Sequence, residues 1–151
     1  YFAKKENAEI TALRDLDLET VEKHKDQLAV NVYKRAHHVV SENERVLESQ
    51  KALQADDMSK FGKLMYASHR SLSEDYEVSC KELDILVDLA AAENITGSRM
   101  TGAGFGGCTV NLVKKDKLED FVNTIKVKYK EKTGIEPEVY VSNPGNGARK
   151  L

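Results

Sequence analysis

The sequence predicts an α+β fold: a helical first part, then an antiparallel sheet covered by helices. Three observations predict it. Across residues 28–95 apolar residues recur at helical spacing, with capping residues between the runs. Residues 100–113 read strand, glycine turn, strand, and residues 116–142 read helix, then strand. A hairpin followed by a helix and another strand belongs to a layered α+β architecture. With 151 residues the chain has room for one domain with a real core.

Taken in order, residues 1–27 are charged and only loosely periodic. Leu13, Leu16, Leu18 and Val21 are scattered apolar points, which predicts short helical turns. From 28 to 53, Val32, Ala36, Val39 with Val40, Val46 with Leu47, and Leu53 recur at helical spacing, the expected core face of a long amphipathic helix. Asp56 or Asp57 is placed to cap the next helix, in which Met58, Phe61, Leu64, Met65, Ser68 and Leu72 line one side. In "SCKE", Ser79 takes an N-cap position with Glu82 three residues on, a capping box, and Leu83, Leu86, Val87 and Ala90 follow. Asp116 with Glu119 opens a further helix with Leu118, Phe121, Val122, Ile125 and Tyr129 as its apolar face, and Gly134 closes it. Pro137 follows, "EVYVS" alternates as a strand, "NPGNG" is a turn, and "ARKL" reads as a short edge strand.

Composition excludes several functions. Apolar residues make up 40% and charged residues 32%, with a net charge of −2. No basic stripe forms the electrostatic footprint of a nucleic-acid binder. No window approaches the roughly 18 apolar residues of a membrane span, so no membrane is expected as a partner. Residues 1–20 are mostly charged and lack the apolar stretch of a signal peptide. Cys80 and Cys108 fit neither a disulfide framework nor a metal site, which leaves reduced thiols in the cytoplasm as the expectation. The chain opens with Tyr1 and no targeting segment, and reads as a piece of something longer.

The chemistry-bearing stretch is "RMTGAGFGGCTVNLV", where Gly102, Gly104 and Gly107 satisfy G-x-G-x-x-G. A dinucleotide fingerprint needs a helix after the glycines. Here Cys108, Thr109, Val110, Leu112 and Val113 follow, which is a strand. A protein-kinase loop needs a valine two residues after the last glycine, where this chain has Thr109, and no H-R-D or D-F-G follows. Two readings remain open. One is a hairpin turn with glycines at positive φ. The other is a phosphate-proximal loop, because an ordinary hairpin needs one or two glycines and successive free amides form an anion nest.

"SRMTGAGFGGCTVNLV" closely resembles the third signature of the GHMP small-molecule kinases, in the form carried by galactokinases. "KRAHHVVSENERVL" (residues 34–47), "FGKLMYASHRSLSEDYEVSCKELDILVDLA" (residues 61–90) and the closing "YVSNPGNGARKL" fit the same family, so the similarity spans about residues 30–151 in order. The resemblance implies a ferredoxin-like carboxyl-terminal domain of a bilobal kinase, with residues 1–95 mainly helical and residues 96–151 forming hairpin, helix and strands. Such a kinase transfers the γ-phosphoryl of ATP, with Mg²⁺, to the anomeric hydroxyl of galactose. The serine-rich phosphate loop, the sugar signature and the catalytic aspartate and arginine belong to an amino-terminal lobe absent from this chain. That lobe, ATP and galactose are therefore the expected partners, and the fragment alone is expected to lack activity. The loop of Gly102, Ala103, Gly104, Phe105, Gly106 and Gly107 is implied to lie against the nucleotide phosphates. The resemblance places Ser68 and His69 near the interlobe cleft, in a packing or a cleft-lining role. A sibling kinase acting on another sugar, such as N-acetylgalactosamine, a non-catalytic galactose- and ATP-sensing regulator, and a stand-alone interaction module are the rival readings.

Other residues carry less. His37 and His38 have no metal-ligating partner at i+4 and read as helix-face or core-edge histidines. Ser68, His69 and Ser71 resemble pieces of a triad, but residues one and two apart on a helix do not face each other. Asp75, Asp84 and Asp88 read as caps and a solvated face, Cys108 as a small apolar residue opening a buried strand, and the lysines at 114, 115 and 117 as loop solvation.

Overall fold

The computed structural model describes residues 9–145 and 147; the predicted strand "ARKL" lies outside them. The first part is helical turns, as the loose periodicity predicts. A 3₁₀ turn at Leu13–Asp15 is tied by the Asp15 carboxylate, which accepts the N–H groups of Thr11 and Ala12. Helix α1, Leu18–Lys23, is capped by Asp17, whose side chain accepts the Thr20 N–H at 2.7 Å. Helix α2 then runs Val30–Gln54 and helix α3 runs Met58–Glu74. Asp57 caps α3 by accepting the Lys60 N–H at 2.9 Å.

The buried face of α2 differs from the predicted one. Val32, Val46, Leu47 and Leu53 are exposed, while His38, Val40, Ser41 and Ala52 are buried. The reason is the partner helix: α3 presents Ser68, His69 and Ser71 inward, and hydrogen bonds to polar groups of α2 decide the rotation of the helix. His38, Ser41, Glu42 and Arg45 recur at the same three- and four-residue spacing as the apolar set, so the sequence carries two competing stripes.

Helix α4, Lys81–Ala92, buries Leu83, Val87, Leu89 and Ala90. Its N-cap is Cys80 rather than Ser79, and no side chain caps it. Ser79 instead donates its hydroxyl to Asp84 at 2.6 Å, which removes it from the predicted capping box. Asn94 in the left-handed region (φ 55°) turns the chain into β1, Gly97–Thr101, which pairs antiparallel with β2, Cys108–Leu112, from Gly97↔Leu112 to Thr101↔Cys108. β1 is the inner strand, packed on α3 and α4, with Ser98 and Met100 essentially inaccessible. β2 is the more open one, and Cys108 is exposed, contrary to the expectation of a buried strand start.

A 3₁₀ turn at Lys115–Lys117 leads into α5, Leu118–Thr133, with no side-chain cap, so Asp116 does not open the helix as predicted. Phe121, Ile125 and Tyr129 pack on Leu89, Ala90 and Ile95 as one apolar core. Gly134 (φ 76°) ends α5 in the left-handed conformation and returns its N–H to the Lys130 carbonyl at 2.8 Å. The predicted strand "EVYVS" does not form. Residues 138–142 pass near β2 and α5 without ladder bonds, and Tyr140 and Val141 stay exposed on consecutive positions. Alternation gives a strand only where a sheet edge accepts its backbone groups. The described residues are thus an α+β body whose sheet is one hairpin pressed against helices.

Candidate functional site

The glycine stretch is the turn of the hairpin, residues 102–107. Five of its six residues have positive φ: Gly102 (83°), Gly104 (90°), Phe105 (60°), Gly106 (135°) and Gly107 (99°). Side chains rarely adopt this region, which accounts for the glycine surplus. The glycines are not equivalent. At Gly104 a Cβ would stand 2.1 Å from the Val78 carbonyl oxygen, so a close approach forbids a side chain there. At Gly102, Gly106 and Gly107 nothing lies within 4 Å of a Cβ position, and the loop presents bare backbone to open space. Phe105 donates its N–H to that same Val78 carbonyl at 2.7 Å while its ring is 75% exposed. Hence the loop is held on one side by the α3–α4 connection and left open on the other.

Beneath the loop lies His69, buried on α3. The Met100 N–H donates to its Nδ1 at 3.1 Å, which fixes Nδ1 as the unprotonated nitrogen. Nε2–H then donates to Asp84 Oδ1 at 3.1 Å. Burial pushes the His69 pKa down, against the raising influence of Asp84 and Asp88, and Arg99 adds to the lowering, so the ring is neutral. Asp84 also accepts the hydroxyls of Ser79 and Ser73. It is therefore an anchor for three donors while its side chain stays 41% exposed, on the solvated face that the sequence suggested.

Ser68, one residue earlier, faces a different element. It donates to Glu42 Oε1 at 2.6 Å, and Glu42 also holds Arg45 Nε at 2.7 Å and Arg99 NH1 at 3.4 Å. Burial pushes the Glu42 carboxyl up, but the Ser68 hydroxyl and the two guanidinium groups outweigh it and hold it below its usual value. Ser68, Glu42, Arg45 and Arg99 line a groove of about 1170 Å³ whose apolar wall includes Leu53 and Val110. Ser68 belongs to the floor of that groove and is itself buried, and His69 is closed beneath β1.

Ser71 completes the set without forming a triad. Its hydroxyl donates to Asp75 Oδ2 at 2.9 Å, so its oxygen accepts from His38 Nδ1 at 3.0 Å. The proton order runs from histidine to serine to aspartate, the reverse of what a nucleophilic serine needs. His38 stacks on Tyr76, and His37 meets Asp75 at 3.1 Å. These histidines are structural links between α2 and the end of α3, and no cluster of three or more metal-ligating side chains occurs among the described residues.

The family of glycine-hairpin domains to which this arrangement belongs is defined by direct comparison. Residues 49–131 match the family described as "GHMP kinases C terminal", and the chain belongs to that family. A looser structural likeness reaches the mevalonate kinase of L. major in complex with R-mevalonate, 28% identical, with a TM-score of 0.55 over 82% of this chain and 37% of that one. Within the family the chain is similar to galactokinases. It is 49% identical over 144 residues to that of Clostridium beijerinckii, covering 94% of this chain and 37% of the relative. It is 54% identical over 119 residues to that of Fusobacterium nucleatum, covering 78% and 31%. The crystal structure of Lactococcus lactis galactokinase complexed with galactose superimposes with a TM-score of 0.87 at 41% identity, over 95% of this chain and 37% of that one. The chain spans little more than a third of the length of the curated relatives it matches.

Proposed function

We propose that this chain is the carboxyl-terminal domain of a galactokinase, and that its glycine hairpin closes on the nucleotide phosphates in the intact enzyme. The observation that carries the reading is its 41–54% identity to galactokinases, extending across the hairpin itself. The loop geometry supports it: a run of positive-φ residues held from one side and bare on the other suits an anionic ligand. The whole enzyme would transfer the γ-phosphoryl of ATP to the anomeric hydroxyl of galactose. Acceleration in such a transfer comes mainly from positioning and electrostatics. On this reading residues 102–107 position phosphate oxygens and exclude water, while Ser68 borders the cleft. His69 acts from beneath the loop, not from the cleft surface.

On the family resemblance, the chemical acid–base machinery and the Mg²⁺ ligands that neutralise phosphate charge are assigned to an amino-terminal lobe. The fragment alone is accordingly inactive. A cytoplasmic setting belongs to the same reading; no helix among the described residues is long and apolar enough to cross a membrane. The names of the relatives favour a galactokinase over an N-acetylgalactosamine kinase or a sensing regulator. The test combines this chain with a separately prepared amino-terminal lobe and measures galactose-dependent ADP release. Activity above either part alone is the expected result, and a complex that forms without any gain refutes a catalytic contribution.

A further inference from the structure

The glycine loop has little of its own to define where it points. Five of its six residues have positive φ, and three of those, all glycines, face open space, which leaves it dependent on its supports. Two contacts provide them. One is the Phe105 N–H bond to the Val78 carbonyl, and the other is the Met100 N–H bond to His69, two residues before the loop begins. Both supports converge on Asp84. It holds His69 through Nε2, and it fixes Ser79 beside Val78, with Ser73 as a third donor.

Resting on the reading that this loop abuts the phosphates, we infer that His69 is a positioning residue for phosphoryl transfer: as acceptor for Met100 and donor to Asp84, it sets where β1 delivers the loop. The ring is suited to this because it needs one nitrogen of each kind. The Met100 N–H is taken by a side-chain acceptor, His69 Nδ1, at 3.1 Å. Asparagine at this position keeps an acceptor near the place of Nδ1, glutamine keeps a polar group only near that of Nε2, and phenylalanine keeps the ring alone.

The charged groups facing His69 are Asp84 and Asp88 from α4 and Arg99 from β1. Protonation would place an N–H at Nδ1 opposite the Met100 N–H, and two donors cannot share that contact. Acid should therefore release β1 from α3 and loosen the loop.

The experiment uses the full-length protein that carries these residues. His69→Phe lowers kcat about tenfold or more while KM for galactose changes by less than about twofold, the pattern of a lost transition-state arrangement. His69→Asn recovers most of kcat, and His69→Gln does not. The wild-type kcat falls on acidification below the ordinary histidine pKa of 6.5, and His69→Asn lacks that fall. Selective ¹⁵N labelling of methionine and histidine gives coupling across the Met100 N–H to Nδ1 bond and an unprotonated Nδ1 signal at neutral pH. Equal kcat for the Phe and Asn variants, or a protonated Nδ1, overturns the inference. Should His69→Phe fail to fold, the Asn and Gln pair decides by the same criterion. Absence of galactose-dependent ADP release from wild type would sink the kinase reading alone. The NMR signals, with amide exchange across residues 102–107 in the Asn and Gln variants, would still decide the positioning role.

Discussion

Gly62→Ala probes the contact on which the hairpin rests. Gly62 lies on the buried side of α3 and Gly97 opens β1, and the two backbones cross almost in contact. A Cβ at Gly62 would stand 1.7 Å from the Thr96 carbonyl oxygen and 2.5 Å from its carbon. Real Cβ atoms essentially never come closer than 3.0 Å, so the strand must recede by about 1.3 Å, the difference between 3.0 and 1.7. Overpacking of this kind costs typically about 1–3 kcal/mol, and backbone-on-backbone contact belongs at the upper end. Alanine in a helix interior returns about 1 kcal/mol relative to glycine. The net loss is therefore about 2 kcal/mol, a fall in Tm of roughly 4–8 °C for a chain of this size. Urea unfolding measures it as a lower midpoint at unchanged slope. Lys63→Ala, exposed on the same helix, is the control and should not show the loss. A Gly62→Ala chain as stable as wild type at unchanged slope would refute the close-crossing argument.

Two further outcomes follow from the same geometry and from the buried histidines. Gly104→Ala should break the Phe105–Val78 bond, because its Cβ has nowhere to go. Gly106→Ala meets open space and is disfavoured by backbone strain alone, about 1–3 kcal/mol in a region that side chains rarely adopt. Amide exchange tells them apart: the Phe105 N–H loses protection in the first variant and keeps it in the second, and equal protection in both would contradict the assignment. Burial lowers the pKa values of both His38 and His69 in the folded state. The unfolded chain then binds more protons below its ordinary value of 6.5, so this stability is complete above about pH 6.5 and declines as pH falls below it. Urea midpoints at about pH 7.5 and 5.5 check the sign, and no decline on acidification would contradict the buried neutral rings.

The sequence made the element order and the hairpin legible because those depend on local signals. Asp57 and Gly134 act as caps through bonds to their own helix ends, and the glycine run with β-branched residues after it forms a turn and a strand. What it hid depends on partners distant in the chain. Ser79 satisfies the spacing of a capping box, yet Asp84 competes for its hydroxyl and wins at 2.6 Å. "EVYVS" has strand alternation, yet residues 138–142 form no ladder with either strand of the hairpin. The rotation of α2 was the largest departure: a face of valines and leucines is outside because Glu42 and His38 have buried partners on α3. An uncompensated buried carboxylate or imidazole costs more than an exposed valine, so the polar stripe takes precedence once the partners exist. The signal that could have found Glu42 was present as the His38, Glu42 and Arg45 spacing, but apolar periodicity matched equally well.

These departures share a physical origin with the candidate site. A hairpin loop built largely of glycine cannot be stabilised by burying side chains of its own, and Phe105, its one large side chain, is exposed. Its order has to come from beneath, through directional bonds that act on backbone rather than through apolar packing. One such support is His69, with Asp84 and Met100, and Ser68 with Glu42 and His38 with Ser71 are further polar pairs in the same interior. The polar face of α3 is therefore the structural counterpart of the glycine loop. The rotation of α2 that apolar periodicity failed to predict belongs to this same polar interior, through Ser68 with Glu42 and His38 with Ser71, while His69 in that interior holds the strand that leads into the loop.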